Sequence, residues 1–285
     1  MRWINLIFLV SSLTSCSEWE NDLVAYGGSS HSYQEQVDTL DSAIVDSLGQ
    51  LYNMGFDLWS KDGKNDVCYG ADATEREKTV WASANASTAM FNKLTCIPED
   101  VFMAAEGEGK RALKLQTQLI NAIITKKLAA GCIFTGQMGN ISLSNLSATL
   151  NWGIPFTLRP AALEGYACYK PVAIDVAKTP YENRKGAIDS GHIFVLLTDW
   201  DEQFTVDPAT SSFVDTDDNP NIIGYGKVVF DHTMADYEKF TLDIEYRSDR
   251  TPRYLVIVAS SSALGDYFTG GNGSTLYLDE LRFLY

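Results

Sequence analysis

The stretch that decides the fold is residues 254–285, YLVIVASSSALGDYFTGGNGSTLYLDELRFLY. It opens with an apolar run at residues 254–259, which has the length of a buried strand. Serines and a glycine-rich segment follow, and glycine tolerates the backbone conformations that turns require. The last residues carry Asp279 and Glu280 within a second, closing strand. This order predicts a β-hairpin with a long loop that completes a β-sandwich.

The segments before this hairpin carry the same strand signals. Residues 240–246 alternate between apolar and polar side chains, which is the pattern of a strand with one buried face. Residues 193–198 form a continuous apolar run, which predicts a central strand. Further strands are predicted at residues 79–83, 112–119, 132–138, 153–158, 165–174 and 227–232. Many short strands, glycine turns and no βαβ rhythm predict an all-β domain, a jelly-roll-type β-sandwich.

The N-terminus predicts export and a lipid anchor. Arg2 precedes a short apolar stretch, and small residues then lead into a lone Cys16, as in a bacterial lipobox. We therefore interpret residues 1–15 as a lipoprotein signal peptide and Cys16 as the lipidated residue. The acyl chains would hold the protein at the outer membrane or cell surface. An ordinary signal peptide that happens to contain a cysteine is the alternative.

Residues 16–55 are predicted to connect the anchor to the main domain, which we place at residues 56–285. Residues 17–32 are polar, with glycine and serine at their centre, and this composition predicts a flexible tether. Apolar residues from Val37 to Leu51 then recur at spacings of three and four. This spacing predicts a short amphipathic helix after the tether.

Charge narrows the class of partner. The 285-residue chain has a formal net charge of −15 and contains no basic cluster. Binding to nucleic acid needs a basic face, so the sequence argues against a nucleic-acid partner. The acidity suits a surface protein with neutral ligands, such as an oligo- or polysaccharide.

Four cysteines follow Cys16, namely Cys68, Cys96, Cys132 and Cys168. An even number in an exported chain permits two disulfides, in any of three pairings. Their spacing is not that of a zinc site. Small buried apolar side chains are the alternative interpretation.

Aromatic residues supply the candidate ligand platform. Sugar rings have apolar C–H faces that stack on flat aromatic rings, while polar side chains hydrogen-bond the hydroxyls. The alternative is that these aromatic side chains build the core, as they do in other β-sandwiches. The candidate ligand-binding residues are Trp81, Asn85, Trp152, Arg159, Tyr166, Tyr169 and Tyr267.

Several motifs in this order resemble the putative carbohydrate metabolism domain family of bacterial surface lipoproteins. They are Gly55–Trp59 (GFDLW), Trp81–Asn85 (WASAN), Cys132–Gly136 (CIFTG), Trp152–Phe156 (WGIPF), residues 189–197 and the C-terminal run. The resemblance implies that residues 55–59 form the opening strand. The resemblance covers roughly residues 56–285. It implies a jelly-roll β-sandwich and a role in carbohydrate use, without implying a particular reaction.

The resemblance to jelly-roll carbohydrate-binding modules also implies a structural Ca²⁺. In those modules the first and last strands lie side by side, and an acidic residue from each can share the ion with backbone carbonyls. Asp57 and Asp279 stand at matching places here. Calcium prefers six to eight oxygen ligands, which such a site can supply. Turn capping or solvent exposure of the two carboxylates is the alternative.

Three functions remain open from the sequence. The first is a non-catalytic, surface-anchored, glycan-binding lipoprotein. The second is a glycoside hydrolase or lyase, which usually needs a pair of carboxylates that the sequence cannot select. The third is a structural or adhesin-like surface protein. We favour binding without catalysis, because no nucleophile motif such as Gly-x-Ser-x-Gly occurs. The sequence identifies no catalytic residues.

Overall fold

The computed structural model describes residues 44–104, 106–107, 109–121, 126–144 and 146–285. These residues form an antiparallel β-sandwich that includes a short α-helix. No helix in these ranges has the length and apolar character needed to span a bilayer. The signal peptide, Cys16 and the tether lie outside the described residues, so their assignments stay predictions.

The strands follow one another along the whole described chain. In order they are β1 (Ser60–Asp62), β2 (Asn65–Val67), β3 (Trp81–Ser83), β4 (Cys96–Glu99), β5 (Ala112–Gln116), β6 (Gln118–Asn121), β7 (Lys126–Ala129), β8 (Cys132–Ser142), β9 (Ser147–Trp152), β10 (Ile154–Pro155), β11 (Ala162–Lys170), β12 (Gly191–Thr198), β13 (Phe204–Val206), β14 (Ile222–Phe230), β15 (Glu238–Asp243), β16 (Glu245–Tyr246), β17 (Tyr254–Ser260) and β18 (Thr275–Leu284). Helix α1 spans Asn85–Thr88, and 3₁₀ helices span Glu77–Thr79, Ala89–Phe91, Glu182–Arg184 and Gly265–Tyr267.

Nine strands form the larger sheet. Its order is β13–β9–β8–β17–β12–β14–β16, with β10 paired to β17 and β3 paired to β8. The neighbouring strands β12 and β17 are buried along their whole length. Burial on both faces explains why their sequences are continuous apolar runs and do not alternate.

Five strands form the smaller sheet, in the order β15–β11–β18–β5–β4. The last strand of the chain, β18, lies at its centre between β11 and β5. The predicted hairpin is therefore wrong, because β17 belongs to the larger sheet and β18 to the smaller one. Residues 261–274 cross from one sheet to the other. Strand periodicity identifies a strand but does not select its partner.

The main core lies between the two sheets. The larger sheet contributes Ile193, Val195 and Leu197 from β12, and the smaller sheet contributes Leu276 and Leu278 from β18. All five are fully buried. Alternate residues of one strand share a face, so the residues between them point to the outer face of each sheet.

Two local predictions are corrected by the structure. Residues 55–59 are not a strand, because Phe56 has a φ of +58°, which strand residues do not adopt. This segment runs beside β18, where the N–H of Leu281 donates to the carbonyl of Met54. In residues 153–158 only β10 is a strand.

The amphipathic helix does not reach Leu51. Most of it lies outside the described residues, but Ile44 is helical and Val45 pairs with Leu51 in an isolated antiparallel bridge. The Asp46 carboxylate accepts hydrogen bonds from the N–H groups of Leu48 and Gln50. A side chain that binds nearby backbone in this way competes with helix formation and favours a turn.

Cys68, Cys96, Cys132 and Cys168 are free thiols in the structure. Three of them are buried, and Cys132 is half-buried. Burial raises the pKa of the Cys132 thiol to about 12. A thiol with so high a pKa is a poor nucleophile, so it serves packing.

Candidate functional site

A second apolar cluster covers the outer face of the larger sheet, the face turned away from the smaller sheet. It contains Phe134 from β8, Trp152 from β9, Phe194 from β12 and Val258 from β17. Register explains the grouping, since Phe134 pairs with Val258 and Val258 pairs with Phe194. Apolar residues on both faces of one sheet require a cover on each side.

The cover is incomplete and leaves a pocket of about 130 Å³, here called the outer-face pocket. Its walls include Phe91, Phe134, Leu150, Trp152 and Phe268. They come from a 3₁₀ helix, from strands of the larger sheet and from the loop at residues 261–274. A concave, mainly apolar pocket with a few polar groups is the usual form of a ligand site.

Three side chains that line this pocket carry a buried polar atom with no hydrogen-bond partner. They are Oγ1 of Thr88, which is 5% exposed, Nε1 of Trp152, which is 5% exposed, and Nδ1 of His192, which is 7% exposed. Buried polar atoms are nearly always paired with protein or water, so each orphan atom needs an explanation. All three residues line the same pocket, but the atoms themselves are covered by protein, so a ligand or water bound there would pair them only after a small shift of the surrounding side chains.

Four titratable groups that line the pocket have shifted pKa values: burial lowers the pKa of Lys127 and raises that of Cys132, and the other two are His192 and Asp266. Burial, with a smaller contribution from the charge of Lys227, lowers the pKa of His192 to about 3. Desolvation raises the pKa of Asp266 to about 6, and Lys227 partly opposes this rise. The imidazole is therefore neutral at pH 7. Among the described residues that line the pocket, Asp266 is the only carboxylic acid.

A shallow groove adjoins the pocket and is here called the Tyr267 groove. Lys127, Pro208, Asp266 and Phe268 line both, and the groove adds Lys178, Thr179, Ser211 and Tyr267. The Tyr267 ring contacts the rings of Tyr181 and Phe213, each at a centroid distance of 4.9 Å. These contacts hold the Tyr267 side chain in place beside two lysines and a carboxyl group.

The structure brings together two of the seven predicted ligand-binding residues. Trp152 lines the outer-face pocket and Tyr267 lines the adjoining Tyr267 groove. The other five are Trp81, Asn85, Arg159, Tyr166 and Tyr169, and they line neither. The seven residues therefore do not form a single platform.

Three of these five are buried by structural contacts. The Trp81 ring belongs to the main core, and its Nε1–H donates to the carbonyl of Tyr52 at 2.9 Å. The Asn85 side chain is fully buried and accepts hydrogen bonds from the N–H groups of Thr95 and Cys96. Tyr169 is also fully buried, and its hydroxyl donates to the carbonyl of Ser261.

Arg159 and Tyr166 lie elsewhere and are half-buried. The Arg159 guanidinium stacks on the Tyr246 ring at 4.1 Å and donates to the carbonyl of Ser248. Tyr166 is on β11 of the smaller sheet, and its hydroxyl donates to the Glu106 carboxylate at 2.7 Å. Both side chains therefore already have partners within the protein.

The predicted calcium ligands do approach the same region. Asp279 lies on the outer face of the smaller sheet, and its Oδ2 accepts a hydrogen bond from the N–H of Ala104. Asp57 Oδ1 accepts one from the N–H of Arg111, and Glu280 Oε1 accepts one from the N–H of Gly109. A β-carbon at Gly109 would lie 2.9 Å or less from oxygens of both Asp57 and Glu280, so glycine leaves room between these carboxylates.

One oxygen at this site is unsatisfied. Asp279 is 2% exposed, and its Oδ1 has no hydrogen-bond partner. Burial raises the pKa of Asp279 to about 6, and the charges of Glu280 and Asp57 add to the rise. Among the described residues no three or more side chains of the metal-binding types converge on one point. A cation here would therefore need backbone carbonyls or water for the rest of its shell.

Comparison with known proteins identifies the family. Residues 55–284 match the family described as "Putative carbohydrate metabolism domain". The chain belongs to this family. A search of curated proteins gave no match.

Two solved structures resemble this member of the putative carbohydrate metabolism domain family. One is described as a putative glycoside hydrolase from Bacteroides thetaiotaomicron VPI-5482, with a TM-score of 0.64, 24% identity, and coverage of 85% of this chain and 72% of that one. The other is described as a putative glycoside hydrolase from Bacteroides vulgatus ATCC 8482. It has a TM-score of 0.59 and 21% identity, and the match covers 81% of this chain and 96% of that one. These similarities confirm the fold.

Sequence reasoning missed part of the site in this member of the putative carbohydrate metabolism domain family. Lys127, Phe134, His192 and Asp266 line the outer-face pocket, and none of them was among the predicted ligand-binding residues. Strand alternation could have indicated Phe134. It follows Ile133 on β8, and because Ile133 faces the core, Phe134 faces the other side of the sheet. For Asp266 no such signal exists, because it lies in the segment that connects β17 to β18. Lys127 lies on β7, which was not predicted as a strand.

Proposed function

We propose that the protein binds glycans in carbohydrate utilisation, with a sugar ring held in the Tyr267 groove. The observation that carries this proposal is the continuity of the Tyr267 groove with a pocket whose lining side chains include three unpartnered polar atoms. Membership of the putative carbohydrate metabolism domain family supports carbohydrate as the ligand class.

The groove has the chemistry that a sugar needs. Its aromatic surface is Tyr267, which can stack on the C–H face of a pyranose. Lys178 is exposed beside it and can donate hydrogen bonds to hydroxyls, while Asp266 can accept them. Binding at such an open site is weak, because one stacked ring contributes only a few kcal/mol against the cost of association.

Replacing Tyr267 with alanine is expected to weaken oligosaccharide binding about five- to tenfold, which corresponds to about 1–1.5 kcal/mol for one stacked ring. Titration calorimetry on hits from a glycan array would measure the change. The matched control is Tyr166→Ala, on the other sheet, which is expected to leave affinity unchanged. Loss of binding in the Tyr166 variant alone would move the site to the smaller sheet, and no binding to any glycan would favour a structural or adhesin-like role.

A glycoside hydrolase is the alternative. Asp266 favours it, because a carboxyl group with a pKa of about 6 can act as a general acid. Glycoside hydrolysis usually requires a second carboxyl group about 5–9.5 Å away. Among the described residues no other carboxylate lines the outer-face pocket or the Tyr267 groove. Release of reducing sugar by the wild type but not by Asp266→Asn would establish hydrolysis instead.

We also propose that Ca²⁺ binds beside Asp279 and holds the fold together. Support comes from the orphan Oδ1 of this buried carboxylate and from the space that Gly109 leaves beside Asp57 and Glu280. Asp57 and Asp279 would each supply an oxygen ligand, and backbone carbonyls or water would complete the shell that calcium prefers. The ion would neutralise charge in a partly dry site and would take no part in sugar chemistry.

We further propose that Cys16 carries the lipid that places the protein at the outer membrane or cell surface. The support is the short apolar leader that ends in small residues before this cysteine. In a Cys16→Ser variant, the protein is expected to move from the membrane fraction to the soluble fraction on cell fractionation. Retention in the membrane fraction would contradict lipid anchoring through this residue.

A further inference from the structure

The outer-face pocket is too apolar to hold a bare sugar. Its walls include Phe134, Leu150, Trp152 and Val258, and few polar groups face it. The Ser262 hydroxyl, one of these groups, is already bonded to Asp189 at 2.6 Å. Each sugar hydroxyl buried without a partner costs about 1–3 kcal/mol. A ring with many hydroxyls therefore suits the Tyr267 groove and not the pocket beside it.

The mouth of the pocket is apolar as well. Met90, Ile141 and Leu143 all line it, and they are 49%, 40% and 61% exposed. Single exposed apolar side chains are ordinary, but a group around one cavity marks a binding surface. A ligand that enters here gains by covering these side chains as well as by filling the pocket.

The size of the pocket limits the occupant. An engineered apolar cavity of about 150 Å³ in another protein binds benzene, and the outer-face pocket is about 130 Å³. The unpartnered Nε1–H of Trp152 is a donor, and Nδ1 of His192 can accept or donate according to its tautomer. The matching ligand group is a single small ring or short acyl chain that carries one or two polar atoms.

We propose that the outer-face pocket binds an apolar substituent of a glycan, an aryl or short acyl group, while the sugar to which it is attached lies in the Tyr267 groove. The assignment of the sugar rests on the function proposed above, whereas the preference of the pocket for an apolar group does not. Asp266 and Phe268 line both sites, so a substituent and its sugar can occupy them together.

The preference is tested first on the full-length protein with small probes. In ¹⁹F NMR titrations 4-fluorobenzyl alcohol is expected to bind, and cyclohexanol is expected to displace it. Inositol, a ring of the same size with six hydroxyls, is expected to bind at least tenfold more weakly than cyclohexanol. Equal displacement by inositol and cyclohexanol would overturn the assignment.

Two variants locate the probe. Ala148 lines the pocket, so Ala148→Phe fills it and is expected to weaken 4-fluorobenzyl alcohol binding at least tenfold. Trp152→Phe keeps an apolar ring but removes the Nε1–H donor, and it is expected to weaken binding about three- to tenfold. If both variants are folded by circular dichroism and bind the probe as the wild type does, the pocket is not its site.

Comparing the binding of benzyl glucoside and methyl glucoside tests whether one ligand occupies the pocket and the groove together. The benzyl glucoside is expected to bind at least tenfold more tightly than the methyl glucoside, and Ala148→Phe is expected to abolish this difference. Tyr267→Ala is expected to weaken both glucosides while leaving 4-fluorobenzyl alcohol unchanged. Probe binding without any effect of Tyr267→Ala would refute the sugar site alone, whereas glucoside binding with no gain from the benzyl group would refute the substituent pocket alone.

Discussion

Replacing Trp81 with alanine will lower the free energy of unfolding by about 3–5 kcal/mol, the usual cost of removing a buried aromatic side chain. Trp81 is 4% exposed and packs on Phe56 at a centroid distance of 5.4 Å. The variant also loses the hydrogen bond to the carbonyl of Tyr52. Thermal or denaturant unfolding followed by circular dichroism will measure the loss.

The control is Trp81→Phe, which keeps a ring against Phe56 but removes the Nε1–H donor. It is expected to cost clearly less than the alanine variant, and neither change should alter the glycan affinity of the folded fraction. The opposite result would be a Trp81→Ala protein of unchanged stability that no longer binds sugar. It would return Trp81 to the ligand platform predicted from the sequence.

Adding Ca²⁺ at about a hundred times its dissociation constant will stabilise the protein by about 2.7 kcal/mol relative to chelator, since the ion binds only the folded chain. For a domain of this size the midpoint of thermal unfolding should rise by about 5–10 °C. The physical reason is the carboxylate of Asp279, which is buried near Asp57 and Glu280 with one oxygen unpaired. Differential scanning calorimetry in calcium and in chelator will measure the shift.

Asp279→Asn is expected to abolish this calcium effect. In chelator at neutral pH the variant should be no less stable than the wild type, because burial disfavours the ionised carboxylate that asparagine replaces. Asp215→Asn is the matched control, since Asp215 lies in an exposed turn where it accepts hydrogen bonds from Asp217 and Asp218. Identical midpoints in calcium and chelator for the wild type would exclude a stabilising ion.

Much of the secondary structure was predictable, because strands leave a local pattern of apolar and polar residues in the sequence. The apolar runs that became β12 and β17 are buried on both faces, and the alternating run at residues 240–246 became β15 and β16. The opening strand at residues 55–59 failed for a local reason of another kind. Phe56 has a left-handed backbone conformation, which a pattern of apolar and polar residues does not indicate.

The candidate site was less predictable, because the sequence around an aromatic residue does not show whether its ring faces the core or a ligand. Trp81 and Trp152 are almost equally buried, yet Trp81 lies between the sheets and Trp152 lies on the outer face of one sheet. The sequence therefore could not separate Trp152 and Tyr267, which line the outer-face pocket and the Tyr267 groove, from the other five candidates.

The sequence by itself determined the longest strands, the all-β class and the resemblance to a carbohydrate-related family, because these depend on local pattern and on motif order. Only the tertiary structure decided that β17 and β18 lie in different sheets and that Lys127, Trp152, His192 and Asp266 meet around one pocket. Strand partners and pocket walls are contacts between residues far apart in the chain. Their energies depend on which surfaces remain uncovered after every strand has packed, and no local stretch of sequence contains that information.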